Sequence, residues 1–295
     1  MKTSISNLAW THTNTTEIIP KLKTIGLHGI EIAPTLIWPD LGKTQNSKVS
    51  ELAHMIKDQG MSVSGIQSLS FGRPELQVFD DSTWPKFREH LKKMFEIGGQ
   101  LNASVAVFGS PRNRVKGELA SLEANRMAVD FFASLIPNLI ENNIRLTLEP
   151  NAIAYGADFL TNYFQVVNLS EKIGSPWIIP QIDTGCMWMS EDNIEESFSF
   201  HQPGHIHLSL PNLEIFPSNV DFKPFLNRVI QSDYSSWVVI EMLNKNGDEI
   251  MNVISTLKDK TIIIIAHRIS TLKNCDFIIK LEQGVITNFL KPNEL

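Results

Sequence analysis

Glu149, Asp183, His207 and Glu241 share one setting in the sequence. Each closes, or nearly closes, a short run of strand formers: R-L-T-L-E, W-I-I-P-Q-I-D, H-I-H-L-S and W-V-V-I-E. Together they offer three carboxylates and one imidazole. Carboxylates gathered in one place repel each other unless a cation lies among them. This donor set suits one divalent metal ion, Mn²⁺, Mg²⁺, Co²⁺ or Zn²⁺, with positions left for water or substrate. Such an ion polarises a carbonyl and its neighbouring hydroxyl together. A carboxylate on one face then removes a weakly acidic C–H proton. A second carboxylate returns it, to the same carbon with inverted configuration or to the adjacent one. Glu149 and Glu241 are the expected pair. A single Glu at a strand end is most often solvated or ion-paired. Four metal-capable residues on four successive strand ends are hard to explain that way.

Elements must carry these side chains to one place. Apolar runs predict strands over 4–10, 29–33, 61–69, 104–108, 145–149, 177–183, 205–209 and 237–242. Helical spacing predicts helices between them, over 15–25, 47–59, 84–98, 118–142, 160–173, 192–200 and 222–231. Pro85 suits the first turn of the helix at 84. Asp248–Leu257 is either the last barrel helix or the start of the tail, and eight strands alternating with helices in about 250 residues predict an α/β fold of the (β/α)₈, or TIM barrel, type. A doubly wound open sheet is the competing layout and usually needs fewer repeats. In a barrel, side chains at the C-terminal strand ends converge on one mouth, so four distant stretches build one site.

The chain has 295 residues, 42% of them hydrophobic and 20% charged, which is enough for a sizeable core. A net charge of -6 argues against nucleic acid as a partner. The longest apolar run, Ile262–Ala266, is too short to span a membrane. The first ten residues hold one Lys and no long apolar run, unlike a signal peptide. Two cysteines, Cys186 and Cys275, do not make a disulfide framework, so a cytoplasmic protein is expected. The expected partner is a small molecule, and a homo-oligomer is left open.

Further residues are placed at the mouth by the same layout. Arg112 and Arg114, in F-G-S-P-R-N-R, follow the fourth strand. They offer paired hydrogen bonds to a phosphate or carboxylate of the substrate, or one of them neutralises the site's own carboxylates. His12, Glu31, Gln67 and Asn151 also fall near strand ends. Cys186, three residues after Asp183, is a soft ligand, a substrate contact or a small packed thiol.

The region from Ser4 to about Met242 resembles the xylose-isomerase-like barrels, a group that includes sugar phosphate isomerases and epimerases and the AP endonuclease family 2 enzymes. The matching stretches are I-E-I-A-P, Q-S-L-S-F-G-R-P, F-G-S-P-R-N-R, L-E-P-N, D-T-G-C, H-I-H-L-S and V-I-E-M. The resemblance implies a metal-dependent sugar or sugar-phosphate isomerase or epimerase working through an enediolate. It implies that Glu149, Asp183, His207 and Glu241 bind the metal and that the two Glu transfer protons. Many relatives have His where this chain has Cys186. Relatives often follow the His of the seventh strand with an acidic residue, where Leu210 and Pro211 stand here. Some epimerases place an Arg at the position of Leu213 or Glu214. A non-catalytic, sugar-binding barrel is therefore a rival reading. A DNA repair endonuclease is a second. That group uses three zinc ions and more histidines, yet Q-S-L-S-F and F-G-S-P contain none.

The tail reads differently. Asp259–Ile286 resembles the end of an ABC transporter ATPase, with His267 at the position of the histidine that senses the γ-phosphate. No G-x-x-x-x-G-K-[ST] phosphate loop occurs in the chain, so the resemblance implies a non-functional fragment. The expected domains are a barrel over 1–257 and a short foreign α/β extension over 258–295. Strands are expected over 260–266 and 275–281, with Gly284 in a hairpin turn.

Overall fold

The structure is a computed structural model and describes residues 1–10, 15–24, 26–216, 222–243, 278–282 and 285–291. Strands and helices alternate. β1 (Lys2–Ser6), α1 (Thr15–Thr24), β2 (Gly29–Ile32), α2 (Pro34–Ile37), α3 (Asn46–Asp58) and β3 (Ser62–Ile66) open the chain. α4 (Trp84–Gln100), β4 (Val105–Phe108), α5 (Ser121–Ala133), α6 (Ile136–Glu141) and β5 (Arg145–Leu148) follow. Then come α7 (Tyr163–Ile173), β6 (Ile178–Asp183), α8 (Thr184–Ser190), α9 (Ile194–Phe200), β7 (His205–Leu208), α10 (Lys223–Gln231) and β8 (Trp237–Ile240).

The eight strands close a parallel barrel in sequence order, with β1 pairing both β2 and β8. This is the (β/α)₈ architecture that the strand count predicts. The register sets the site. Asp183 on β6 pairs with His207 on β7. The Glu149 N–H donates to the Phe108 carbonyl, and the Glu241 N–H to the Leu208 carbonyl. Glu149 and Glu241 thus sit one residue beyond β5 and β8, at the C-terminal end of the barrel.

Among the local outcomes that differ from the expected elements, which include the added short helix α2 and a third strand ending at Ile66, three have a clear cause. The first strand ends at Ser6 rather than Trp10, because the Ser6 side chain caps a 3₁₀ turn over Asn7–Ala9. The single helix expected over 118–142 is two helices. Pro137 lacks an N–H and its ring crowds the carbonyl four residues back, so it begins a new helix instead of continuing α5. The helix α8 has no counterpart in the expected set. It starts directly after β6, where the Asp183 carboxylate accepts the Cys186 N–H at 2.6 Å as an N-cap.

Helices cover the barrel through apolar seams. On α4, Phe87, Leu91, Met94 and Phe95 are buried. Phe87 meets Phe131 of α5 at 5.0 Å between ring centroids, and Phe132 meets Phe108 of β4 edge-on at 5.1 Å. Each buried aromatic ring contributes roughly 3 kcal/mol of transfer free energy. This seam fixes β4 just before the loop that faces the site. A second seam joins Tyr163, Val167, Phe198, Phe225 and Val229 to Ile182, Ile206 and Val238 under the three strands that carry Asp183, His207 and Glu241.

Cα packing separates Met1–Ile254 from Ser255–Leu295. In the second unit, β9 (Ile278–Glu282) and β10 (Val285–Leu290) pair antiparallel. The strand expected over 260–266, His267 and Gly284 lie outside the described residues. No helix among the described residues is long and apolar enough to cross a membrane.

Candidate metal centre

The barrel brings the four distant side chains together. One donor atom each from Glu149, Asp183, His207 and Glu241 lies within 4.8 Å of all the others. Two donors on opposite sides of a small divalent cation, each at about 2.1 Å, are about 4.2 Å apart, so the cluster has the size of a coordination sphere. His207 is fully buried, whereas the Glu149 and Glu241 side chains keep 12% and 8% of their exposure. The imidazole forms the floor and the carboxylates open toward solvent.

His207 Nδ1 lies 2.7 Å from Glu149 Oε1 and 3.0 Å from Glu241 Oε2. Despite these short distances it has no hydrogen-bond partner of good geometry. A buried, unpartnered ring nitrogen close to two carboxylate oxygens is a donor that a divalent cation would take up. The residues present therefore fit a divalent metal.

Electrostatics agree. Burial pushes Asp183 up to about 7, and Glu149 and Glu241 add to the shift. Glu241 is also raised, by burial first, against the opposing pull of His207. Burial disfavours charge on His207, but Glu241, Glu31 and Glu149 outweigh it and lift its pKa well above the ordinary value. A divalent cation would offset the mutual repulsion that raises these carboxylates.

Two of the three carboxylates, Glu149 and Asp183, are also held from outside the cluster. Gln181 Nε2 donates to Glu149 Oε1 at 2.7 Å. Ser209 Oγ donates to Asp183 Oδ2 at 2.6 Å, and Cys186 N to Oδ1. A Cβ on Gly109 would lie 1.7 Å from Glu149 Oε2, so only a glycine leaves room for that carboxylate. Gln181 and Thr147 precede Asp183 and Glu149 by two residues, hence on the same inward face of their strands. That spacing is a signal available in the sequence, though it was not among the residues singled out there.

Beneath the centre, Glu31 at the middle of β2 is fully buried. Its Oε1 lies 2.8 Å from His207 Nε2 and its Oε2 lies 2.8 Å from His205 Nε2. Burial alone would raise its pKa, but the two imidazoles bring it down to about 2.

The other expected residues fall in varied places. Arg114 is fully buried. Its Nη2 donates to the Glu149 carbonyl at 2.7 Å and its Nη1 to the Phe108 carbonyl at 3.5 Å, and burial lowers its pKa to about 10. It braces the backbone under Glu149 rather than facing solvent. Arg112 is exposed, and its carbonyl accepts from Gln77 Nε2. Gln67, just after β3, is buried and donates to Ser6 Oγ at the end of β1. Asn151 is buried with Oδ1 unpartnered. The Cys186 thiol is buried beside the Thr161 carbonyl and Ser190 hydroxyl, outside the donor cluster, and burial pushes it up to about 12. That is a packed thiol and not the thiolate a metal takes. His12 lies outside the described residues.

The model of the xylose isomerase-like TIM barrel family matches residues 19–260. The chain belongs to that family. No curated protein matches it. Among solved structures, the apo 3-keto-D-glucoside 4-epimerase YcjR from E. coli is similar with a TM-score of 0.72 and 18% identity, covering 87% of this chain and 97% of that one. An L-ribulose 3-epimerase is similar with a TM-score of 0.70 and 15% identity over 88% and 91% of the two chains. An AP endonuclease of family 2 from Brucella melitensis is similar with a TM-score of 0.69 and 13% identity over 87% and 97%. At these identities the likeness establishes the xylose isomerase-like barrel and leaves the reaction to be argued from the site.

Proposed function

We propose that this chain is a divalent-metal-dependent sugar isomerase or epimerase acting on a small keto or aldo sugar or its phosphate. The observation that carries this reading is the convergence of Glu149, Asp183, His207 and Glu241 within 4.8 Å, with His207 Nδ1 unpartnered beside Glu149 and Glu241. The same four residues would hold the ion. When bound, it supplies Lewis-acid polarisation of a substrate carbonyl and hydroxyl. The epimerase neighbours support the choice of substrate class.

The chain's own residues do the proton work. Glu149 and Glu241 reach the centre from β5 and β8, strands separated by two others in the barrel. They approach a substrate from different sides. One carboxylate removes the proton beside the carbonyl, leaving an enediolate, and the other delivers a proton from its side. Gln181 keeps Glu149 oriented, and Arg114 holds the backbone from which Glu149 extends. Asp183, tied by Ser209 and by its own helix cap, is the least free of the three carboxylates and is assigned to holding the metal alone.

An AP-endonuclease reading has less support. Its three-zinc chemistry needs more donors than the two clusters found among the described residues, which share His207. The deciding experiment is a screen of ketoses, aldoses and their phosphates on metal-loaded protein in D₂O. Deuterium entering the carbon beside the carbonyl supports the proposal. Purified protein that binds no divalent ion and gains no thermal stability with Mn²⁺ overturns it in favour of a non-catalytic, sugar-binding barrel.

A further inference from the structure

The Glu31–His205–His207 cluster is not used by the proton transfers just described, yet it sits fully buried in the barrel. Glu31, His205 and His207 have no exposed side-chain surface. A carboxylate taken into such a place costs several kcal/mol unless its oxygens are fully engaged. Here each oxygen has one imidazole Nε2 at 2.8 Å. The glycine at position 65 on β3 makes this arrangement possible, because a Cβ there would approach Glu31 Oε2 to 2.6 Å.

A carboxylate with a pair of nitrogens at hydrogen-bond distance is an acceptor from both. The proton on His207 must then sit on Nε2. In the neutral imidazole that a metal takes, Nδ1 then carries the lone pair, and it lies 2.7 Å from Glu149 Oε1 and 3.0 Å from Glu241 Oε2. The same logic puts the His205 proton on Nε2 and explains its unpartnered Nδ1, which is a bare acceptor rather than a stranded N–H.

Resting on the metal reading above, we propose that Glu31 is a positioning residue that fixes His207 as an Nδ1 metal ligand, with His205 clamping the second Glu31 oxygen. An acceptor of full negative charge also strengthens the imidazole as a donor to the metal. A neutral acceptor in the same place would hold the ring less firmly. Glu31 touches neither the proposed substrate nor the ion. It acts through His207.

Two measurements test this, and neither needs a known substrate. The first uses wild-type protein labelled with ¹⁵N-histidine and loaded with Zn²⁺. The His207 resonances are expected to show a protonated Nε2 and a metal-bound Nδ1. A metal-bound Nε2 overturns the proposal. The second compares Zn²⁺ affinity of wild type and Glu31→Gln. The glutamine carbonyl accepts from only one imidazole and carries no charge, so affinity is expected to fall about 10- to 100-fold. Equal affinity overturns the positioning role while leaving the metal site standing. Wild-type protein that binds no Zn²⁺ removes the metal site and this role together.

Discussion

Gln181 Nε2 donates to Glu149 Oε1 at 2.7 Å, the same oxygen that lies 2.7 Å from His207 Nδ1. The amide is itself oriented, because the Thr147 hydroxyl donates to Gln181 Oε1 at 2.6 Å. The three residues form a chain across β5 and β6 that points one carboxylate oxygen at the centre. Gln181→Leu keeps the volume but removes the donor. Loss of such an outer partner typically costs about 10- to 100-fold in metal affinity. Titration calorimetry with Mn²⁺ on EDTA-stripped protein checks this. Affinity unchanged in the variant would mean that Glu149 is held by other contacts.

Gly109 offers a steric test of the same carboxylate. Its Cβ position lies 1.7 Å from Glu149 Oε2 and 2.9 Å from Cδ. Gly109→Ala therefore has to push the Glu149 side chain out of the centre. The expected result is loss of the thermal stabilisation by Mn²⁺, with the metal-free melting temperature changed much less. The paired melting curves read both quantities at once.

How much of this was legible beforehand depends on distance along the chain. The eight strands follow from local apolar runs, and the barrel follows from their number. The four donors were visible because each is a metal-capable side chain at a strand end. Glu31 was visible only as a residue near the mouth. Its actual place under His207 depends on a pairing across 176 residues, which no local pattern encodes. The position of Arg114 after β4 suggests either a contact to a substrate anion or a counter-charge for the site's carboxylates. Its long side chain instead turns inward to two backbone carbonyls, a choice made by burial and not by position in the sequence. The helix α8 was missed because T-G-C-M-W-M-S carries no helical stripe, and its start is fixed by the Asp183 cap.

The proton-transfer assignment predicts that Glu149→Gln and Glu241→Gln each lower turnover by at least about 10²-fold, the usual contribution of general acid–base groups. Because both residues also face the metal, the variants must be assayed at saturating metal. Deuterium exchange at the reacting carbon separates the roles. The variant that lacks the base loses exchange, and the variant that lacks the acid partner retains it without forming product. A variant with near-wild-type turnover removes its residue from the mechanism.

The two arginines should behave oppositely. Arg112 is exposed, so Arg112→Ala is expected to shift stability by less than about 0.5 kcal/mol. If the substrate carries a phosphate, the same variant raises KM for it. Arg114→Met leaves the Glu149 carbonyl without its guanidinium donor, while the Phe108 carbonyl keeps the Glu149 N–H. An unsatisfied buried polar group costs about 1–3 kcal/mol. Urea unfolding of both variants checks the contrast, and a marginal effect at Arg114 would show that the Glu149 carbonyl finds another donor.

His90 links the mouth loop to acid. It lies on α4 with Nε2 2.6 Å from the Leu69 carbonyl and Nδ1 3.3 Å from Arg73 Nη1. The neutral ring donates to Leu69 and accepts from Arg73. Protonation would turn Nδ1 into a donor facing a guanidinium. Burial lowers the His90 pKa, and the Arg73 charge lowers it further against the opposing Leu69 bond. The folded-state value thus lies below the unfolded value of about 6.5. As pH falls through about 6.5, the unfolded chain takes up the proton first. The stabilising contribution is whole above that pH and is lost as pH drops through the folded value. Ser70, Arg73 and Leu76 of this loop are also pinned by Asn113, so the loosening falls on the segment between β3 and α4 at the barrel mouth. Urea midpoints measured at about pH 7.5 and about pH 5 should drop more in wild type than in His90→Gln, which cannot titrate. An equal drop in the two proteins would assign the acid sensitivity to other groups.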